Sequence, residues 1–387
     1  MAARWSDRVG DIESFKVMDL LKRARELESL GHDVVHMEVG EPDFPTAAPI
    51  AAAASKAIEL GHTQYTPAAG IPALREAISG FYQQRYGLDI APQRVIVTAG
   101  ASGALLMAFA LLANPGQTFM MSDPGYPCNR QFLRLIEARA QLVPVNADCN
   151  FQLTPAQVHA HWRSNTAGVL LASPANPTGA VLSEAELSAL AGAVHRQGGH
   201  LVVDELYHGL TYGFDAASVL QVDPEAFVVN SFSKYFGMTG WRLGWIVAPE
   251  SAVPELEKLA QNLYISPSTV SQYAALAAFE PDTLAIFEAR RQEFGERRDR
   301  LVQGLRELGL GIPVAPQGAF YVYADVSHLT DNAFDFCWDL LESEHLAVTP
   351  GLDFGQHRAN DFIRFSYTTS LERIELGLER LRRRLAR

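Results

Sequence analysis

Between Arg94 and residue 248 the chain alternates short apolar runs with helical stretches, and few folds accommodate that pattern. The runs are Arg94–Thr98, Thr118–Ser122, Gln141–Val145, Val169–Ser173, Leu201–Val203, Phe227–Asn230 and Trp245–Ala248. Amphipathic helices separate several of them. The clearest, Glu184–His195, sets Leu187, Leu190, Ala191 and Val194 on one face and opens with a capping box from Ser183 to Glu186. Continuous apolar strands joined through helices make a mostly parallel sheet covered on both faces. The expected fold class is therefore α/β, with a large domain built on a mostly parallel seven-stranded sheet flanked by helices.

The flanking regions lack this alternation. Before it, the spacing predicts a helix over Ile12–Leu30 ending at Gly31, and a short strand Val34–Val39 that delivers Gly40-Glu41-Pro42-Asp43-Phe44. Two further helices, Ala47–Leu60 and Ile71–Tyr86, flank the polar stretch Tyr65–Gly70. After Pro281 come a long charged helix ending near Leu310, strands over Ala319–Ala324 and Phe362–Tyr367, and a final helix from Leu371. Such mixed runs suit a small α+β domain formed by both chain ends. The expected division is 46–282 for the large domain, 1–45 with 283–387 for the small one, and a cleft between them.

Composition narrows the function. With 387 residues, 48% apolar and 20% charged, the chain can bury a large core. A formal charge of -12 argues against a nucleic-acid partner, and the single basic run, Arg382–Arg384, falls in the last turn of a helix, where cations suit the dipole. The longest apolar stretch, Gly103–Ala113, is too short for a bilayer, which takes roughly 20 residues. MAARWSDRVG has no apolar leader segment. The expectation is a cytoplasmic protein without a membrane partner. Cys128, Cys149 and Cys337 are scattered, so neither a disulfide framework nor a metal site is expected.

In an open parallel sheet, ligands bind beyond the carboxyl ends of the strands. Five runs deliver a distinctive residue there. The first leads into Gly100, Ala101 and Ser102 at a helix start, where free N–H groups and a hydroxyl suit an anion. This is neither the full GxGxxG fingerprint nor a GxSxG elbow, because Ala104 stands where the last glycine of the elbow should be. The second leads to Tyr126, suited to stacking on a flat ligand or to covering the core edge. The third leads to Asn176, within SPANPTG, whose Pro177 and Gly179 would explain a turn by themselves. Asp204 closes the fourth run, and a carboxylate at the end of Leu201-Val202-Val203 needs a cationic or N–H partner. Tyr207 follows it. The fifth leads to SFSKYFGMTGWRLGW, in which Lys234 sits among Ser231, Ser233 and Arg242. One ligand accounts for all five positions: a flat aromatic aldehyde bearing a phosphate, a protonated ring nitrogen and a phenolic oxygen, which is pyridoxal phosphate.

GEPDF, YTPAAGIPALREAI, TAGASGAL, SPANPTG, DELY, SFSKYFGMTGWRLGW and Arg364 in IRFSY together resemble the class I/II pyridoxal-phosphate aminotransferases of fold type I, aspartate aminotransferase-like, from about Val39 to Ser366. The resemblance implies a homodimer with shared active sites. It makes Lys234 the Schiff-base lysine and the base that moves a proton at the substrate Cα. Asp204 would keep the pyridine nitrogen protonated, Asn176 and Tyr207 would bond the phenolic oxygen, and Tyr126 would stack on the ring. Gly100, Ala101, Ser102, Ser231, Ser233 and Arg242 would hold the phosphate, with Tyr65 reaching in from the other subunit. Arg364 would clamp the substrate α-carboxylate, helped by Asn176 and the backbone at Gly40.

The implied activity is transfer of an amino group from an L-amino acid to a 2-oxo acid by a ping-pong route. Ser102 holds a phosphate-loop position that resembles one carrying a lysine for the distal carboxylate in bacterial aspartate aminotransferases of the nearest subgroup. A serine cannot supply that charge, which favours a neutral, aromatic or broad range of donors. Alternatives on the same scaffold are a carbon–sulfur lyase, a cyclopropane synthase or an aspartate-specific aminotransferase. A sensor fused to a DNA-binding domain lacks a basic recognition helix, and a nicotinamide dehydrogenase lacks its glycine fingerprint.

Overall fold

The computed structural model describes residues 5–387, so the first four residues of MAARWSDRVG lie outside the described residues. Helix Lys16–Ser29 leads to a two-residue strand, β1 (Val35–His36), and then to helices Ala48–Glu59 and Pro72–Tyr86. The main sheet follows: β2 (Val95–Thr98), β3 (Thr118–Asp123), β4 (Arg139–Pro144), β5 (Thr166–Ala172), β6 (His200–Asp204), β7 (Phe227–Ser231) and β8 (Gly244–Val247). All seven expected runs are strands of this one sheet. Their order across it is β2-β8-β7-β6-β5-β3-β4. Only β8 runs against its neighbours; the other pairs are parallel.

Burial explains why these strands read as unbroken apolar runs. Every residue of β2, β7 and β8 is buried, as a sheet covered on both faces requires. Successive side chains enter opposite layers: Val169, Val203 and Val228 pack in one core cluster, while Leu170, Val202 and Val229 pack in the other. Helix Glu184–Arg196 closes its capping box as expected, with Ser183 N–H donating to Glu186 Oε2 over 2.7 Å and Glu186 N–H donating to Ser183 Oγ.

The C-terminal part begins with helix Pro281–Glu307. It continues through β9 (Tyr321–Asp325), helix Ala333–Glu344, β10 (Leu346–Ala347), β11 (Thr349–Pro350), β12 (Phe362–Ser366) and helix Leu371–Leu385. A three-stranded antiparallel sheet runs β11-β12-β9, and β10 pairs in parallel with β1, which ties the N-terminal strand to the C-terminal elements.

Three boundaries depart from the sequence expectation, each for a local reason. A short helix, Asp7–Gly10, comes first; the helix expected over Ile12–Leu30 starts at Lys16 because both oxygens of Asp353 accept the N–H groups of Lys16 and Val17, at 2.7 and 2.8 Å. That carboxylate caps the helix start from the far end of the sequence. β9 starts at Tyr321 because Ala319 adopts a left-handed φ of 58°, which no strand contains. Of the expected Val34–Val39 strand, only Val35 and His36 pair with a neighbour. Helix Ala333–Glu344, β10 and β11 are additional to the expected elements.

Candidate active site

β3, β5, β6 and β7 run parallel, so their carboxyl ends share one edge of the sheet. Beyond that edge a cavity of about 500 Å³ opens, and every expected site residue except Gly100 and Tyr65 lines it. The cavity is completed from outside the sheet by Gly40 and Tyr321, by Arg364 of β12, and by Phe15, Val17, Met18 and Leu21 at helix Lys16–Ser29.

Lys234 follows β7, and its Nζ donates to the carbonyl of Gly40 over 2.7 Å. Burial pushes its ammonium down to about 8, with Arg364 and Arg242 acting in the same direction against Glu41 and Asp204. Asp204 ends β6 with one oxygen accepting Leu206 N–H at 3.0 Å. Burial raises its carboxyl to about 6, opposed by that hydrogen bond and by Lys234. A protonated ring nitrogen in the cavity would hold this carboxylate ionised.

An anion cradle occupies one end. Helix Gly100–Leu112 starts there, and Arg242, in a left-handed conformation, lays its guanidinium against Gly100. Gly100 has a left-handed φ of 70° and its Cα faces Arg242 Nη2, which a Cβ there would meet at 2.8 Å, so both backbone and close approach favour glycine. Ser231 and Ser233 complete the cradle with hydroxyls 3.0 Å apart. Tyr65 is 79% exposed and lies outside the cavity.

Arg364 is buried on the cavity wall and aimed by three partners: Asn176 Oδ1 at 2.9 Å, the Glu38 carbonyl at 2.6 Å and Thr349 Oγ at 3.3 Å. Its guanidinium lies 4.2 Å from the ring centre of Tyr321 and 4.7 Å from that of Phe354. Its Nε is buried without a partner among the described residues. Lysine, carboxylate, anion cradle and arginine thus face one space.

The sequence model of the family described as aminotransferase class I and II matches residues 32–381. The chain belongs to that family. It is 38% identical to the valine–pyruvate aminotransferase of Mycobacterium tuberculosis, with 98% of each chain covered. It is 34% identical to an aspartate aminotransferase of Geobacillus stearothermophilus, with 97% of each covered. Among solved structures, the aspartate aminotransferase of Thermus thermophilus with maleate superposes at a TM-score of 0.93, with 34% identity and 98% and 99% coverage. The fold is that of its aminotransferase relatives, and the chain is an enzyme of the transferase class.

Among the residues of this candidate site that the sequence does not single out, Tyr321 and Asp353 matter most. Tyr321 sits in GAFYVY, an apolar strand start, where nothing distinguishes it from a core tyrosine. Its hydroxyl lies 2.9 Å from that of Tyr207. Asp353 positions the helix whose Val17, Met18 and Leu21 line the cavity, and only tertiary structure brings them together.

Proposed function

We propose that the chain is a pyridoxal-phosphate-dependent aminotransferase that moves the amino group of a neutral or aromatic L-amino acid to a 2-oxo acid by a ping-pong route. The observation that carries this reading is the convergence of Lys234, Asp204, the Arg242–Ser231–Ser233 cradle and Arg364 on one cavity. The donor set fits the cofactor at each end: a cation, hydroxyls and helix N–H groups for the phosphate, and a raised carboxyl for the ring nitrogen. Bound there, pyridoxal phosphate supplies an electron sink for the carbanion formed at the substrate Cα.

The chain's own residues do the rest. Arg364 receives the α-carboxylate, with its second face held by Asn176. Lys234, pushed down to about 8, sheds its proton as pH rises through that value, and the free amine can take one from Cα. Asp204 holds the proton on the ring nitrogen, and Tyr207 and Asn176 donate toward the phenolic oxygen.

Two features favour a neutral donor. Phe15, Val17, Met18, Leu21, Leu105 and Phe132 form an apolar wall of the cavity. Among the described residues, the cations lining it are Lys234, Arg242 and Arg364, each with a role already. None is left for a second carboxylate.

The reading includes a homodimer, supported by exposed Tyr65, which a second copy would bring to the phosphate. It also includes a large domain over 46–282 and a small one from 1–45 and 283–387. A cytoplasmic setting is supported by three free cysteines. No helix among the described residues is long and apolar enough to cross a membrane. A steady-state panel of alanine, valine, phenylalanine, glutamate and aspartate tests donor choice; a hundredfold preference for aspartate would contradict it.

A further inference from the structure

Tyr207 and Tyr321 are both buried, and each hydroxyl finds the other 2.9 Å away and no other partner among the described residues. Two phenols carry two protons, but the pair has room for one shared hydrogen bond, so one proton is left to seek an acceptor. The surroundings decide which. A Cβ at Gly40 would stand 1.8 Å from the Tyr321 oxygen, so that hydroxyl is wedged against the Cα of Gly40, which offers no acceptor. The Gly40 carbonyl accepts from Lys234 and receives no hydrogen bond from Tyr321. Distance alone fits either oxygen as the donor; the lack of another acceptor for Tyr321 among the described residues favours Tyr321, which leaves the Tyr207 proton for the cavity.

The geometry points to Tyr321 as a positioning residue that acts through Tyr207, donating to its oxygen and strengthening it as a donor to the cofactor's phenolic oxygen. This rests on the cofactor reading above. A hydroxyl that accepts a hydrogen bond becomes a better donor, because the chain of bonds polarises cooperatively. Tyr207 is also held in place: Phe320 meets its ring edge-on at 5.4 Å and 88°, and Tyr321 does so at 5.8 Å and 83°. Burial raises both phenols, so both stay protonated across the working range. The charged and titratable groups facing the pair are Arg364 and Tyr126, with Lys234 over the adjoining Phe320 ring. Tyr321 has a second duty through its ring, which carries the Arg364 guanidinium at 4.2 Å. The hydroxyl thus serves the cofactor's phenolic oxygen and the ring serves the arginine that receives the α-carboxylate, and variants can separate them.

The test loads wild type, Tyr321→Phe, Tyr207→Phe and the double variant with pyridoxal phosphate and titrates the visible absorbance of each with pH. Weaker donation to the phenolic oxygen favours the protonated chromophore, so the midpoint should rise. The expected rise is about 0.3 pH unit for Tyr321→Phe and about 1 unit for Tyr207→Phe. The double variant should match Tyr207→Phe alone, since Tyr321 acts through that hydroxyl. Tyr321→Leu, which also removes the ring, should raise the amino-acid KM roughly tenfold over Tyr321→Phe while changing kcat less. An unchanged or lowered midpoint in Tyr321→Phe, or an equal shift in the Tyr207→Phe background, overturns the proposal while leaving the cofactor reading intact. A wild-type protein that develops no pH-dependent visible absorbance overturns the cofactor reading, and this proposal with it.

Discussion

Lys234 Nζ donates to the carbonyl oxygen of Gly40 over 2.7 Å, which joins the end of β7 to the loop that follows β1. The lysine is thereby aimed by a segment almost two hundred residues earlier in the chain. That segment must pass close to Tyr321, and glycine is the residue that allows it.

Gly40→Ala should accordingly damage the site out of proportion to its size. The added methyl would need the space of the Tyr321 hydroxyl, since it would lie 1.8 Å away. Either Tyr321 or the 40–44 loop must move, and Lys234 loses its aim in both cases. We expect about a hundredfold loss in kcat/KM with a stability cost of about 1–3 kcal/mol. Steady-state kinetics and urea unfolding midpoints check the two parts; an unchanged kcat/KM contradicts the contact.

Asp204 should trade stability for function. Its folded carboxyl lies at about 6, above the ordinary 3.8, so the fold disfavours the ionised form. That cost is absent below the unfolded value, grows as pH rises between the two, and is complete above about 6. In the cofactor-free protein, Asp204→Asn should therefore raise stability by about 2–3 kcal/mol at pH 7.5 and by much less at pH 4. The same variant should turn over poorly when loaded, because the amide cannot hold a proton on the ring nitrogen. Urea midpoints at the two pH values decide it; equal gains at both would remove the burial argument.

Asp353→Ala should loosen helix Lys16–Ser29 without touching the chemistry. Two N–H groups at the helix start lose their acceptor, a loss of about 1–3 kcal/mol. Because Val17, Met18 and Leu21 line the cavity, the amino-acid KM should rise several-fold more for valine and phenylalanine than for alanine. A uniform change across the three donors would show that the helix does not contact the substrate side chain.

The main sheet was legible because each strand is a short apolar run closed by a polar residue, and the same closure marks Asp204, Asn176 and Lys234. Arg364 stood out only through the family resemblance, since a single arginine in IRFSY carries no local signal. Tyr321 was hidden because its role depends on the left-handed turn at Ala319 and on the absence of a side chain at Gly40. The start of helix Lys16–Ser29 was misplaced because its cap, Asp353, comes from the far end of the sequence. Strands of two residues, such as β10 and β11, show no period at all. What the sequence could not display was contact between distant segments.

The most direct test of the account is a single-turnover reaction. Protein loaded with pyridoxal phosphate is mixed with one neutral amino acid and no 2-oxo acid, and the 2-oxo acid formed is counted. The account predicts one equivalent per subunit and then arrest, restarted by adding a 2-oxo acid, with none formed by Lys234→Ala. Continued release of 2-oxo acid without an acceptor, or an equal yield from Lys234→Ala, would contradict it.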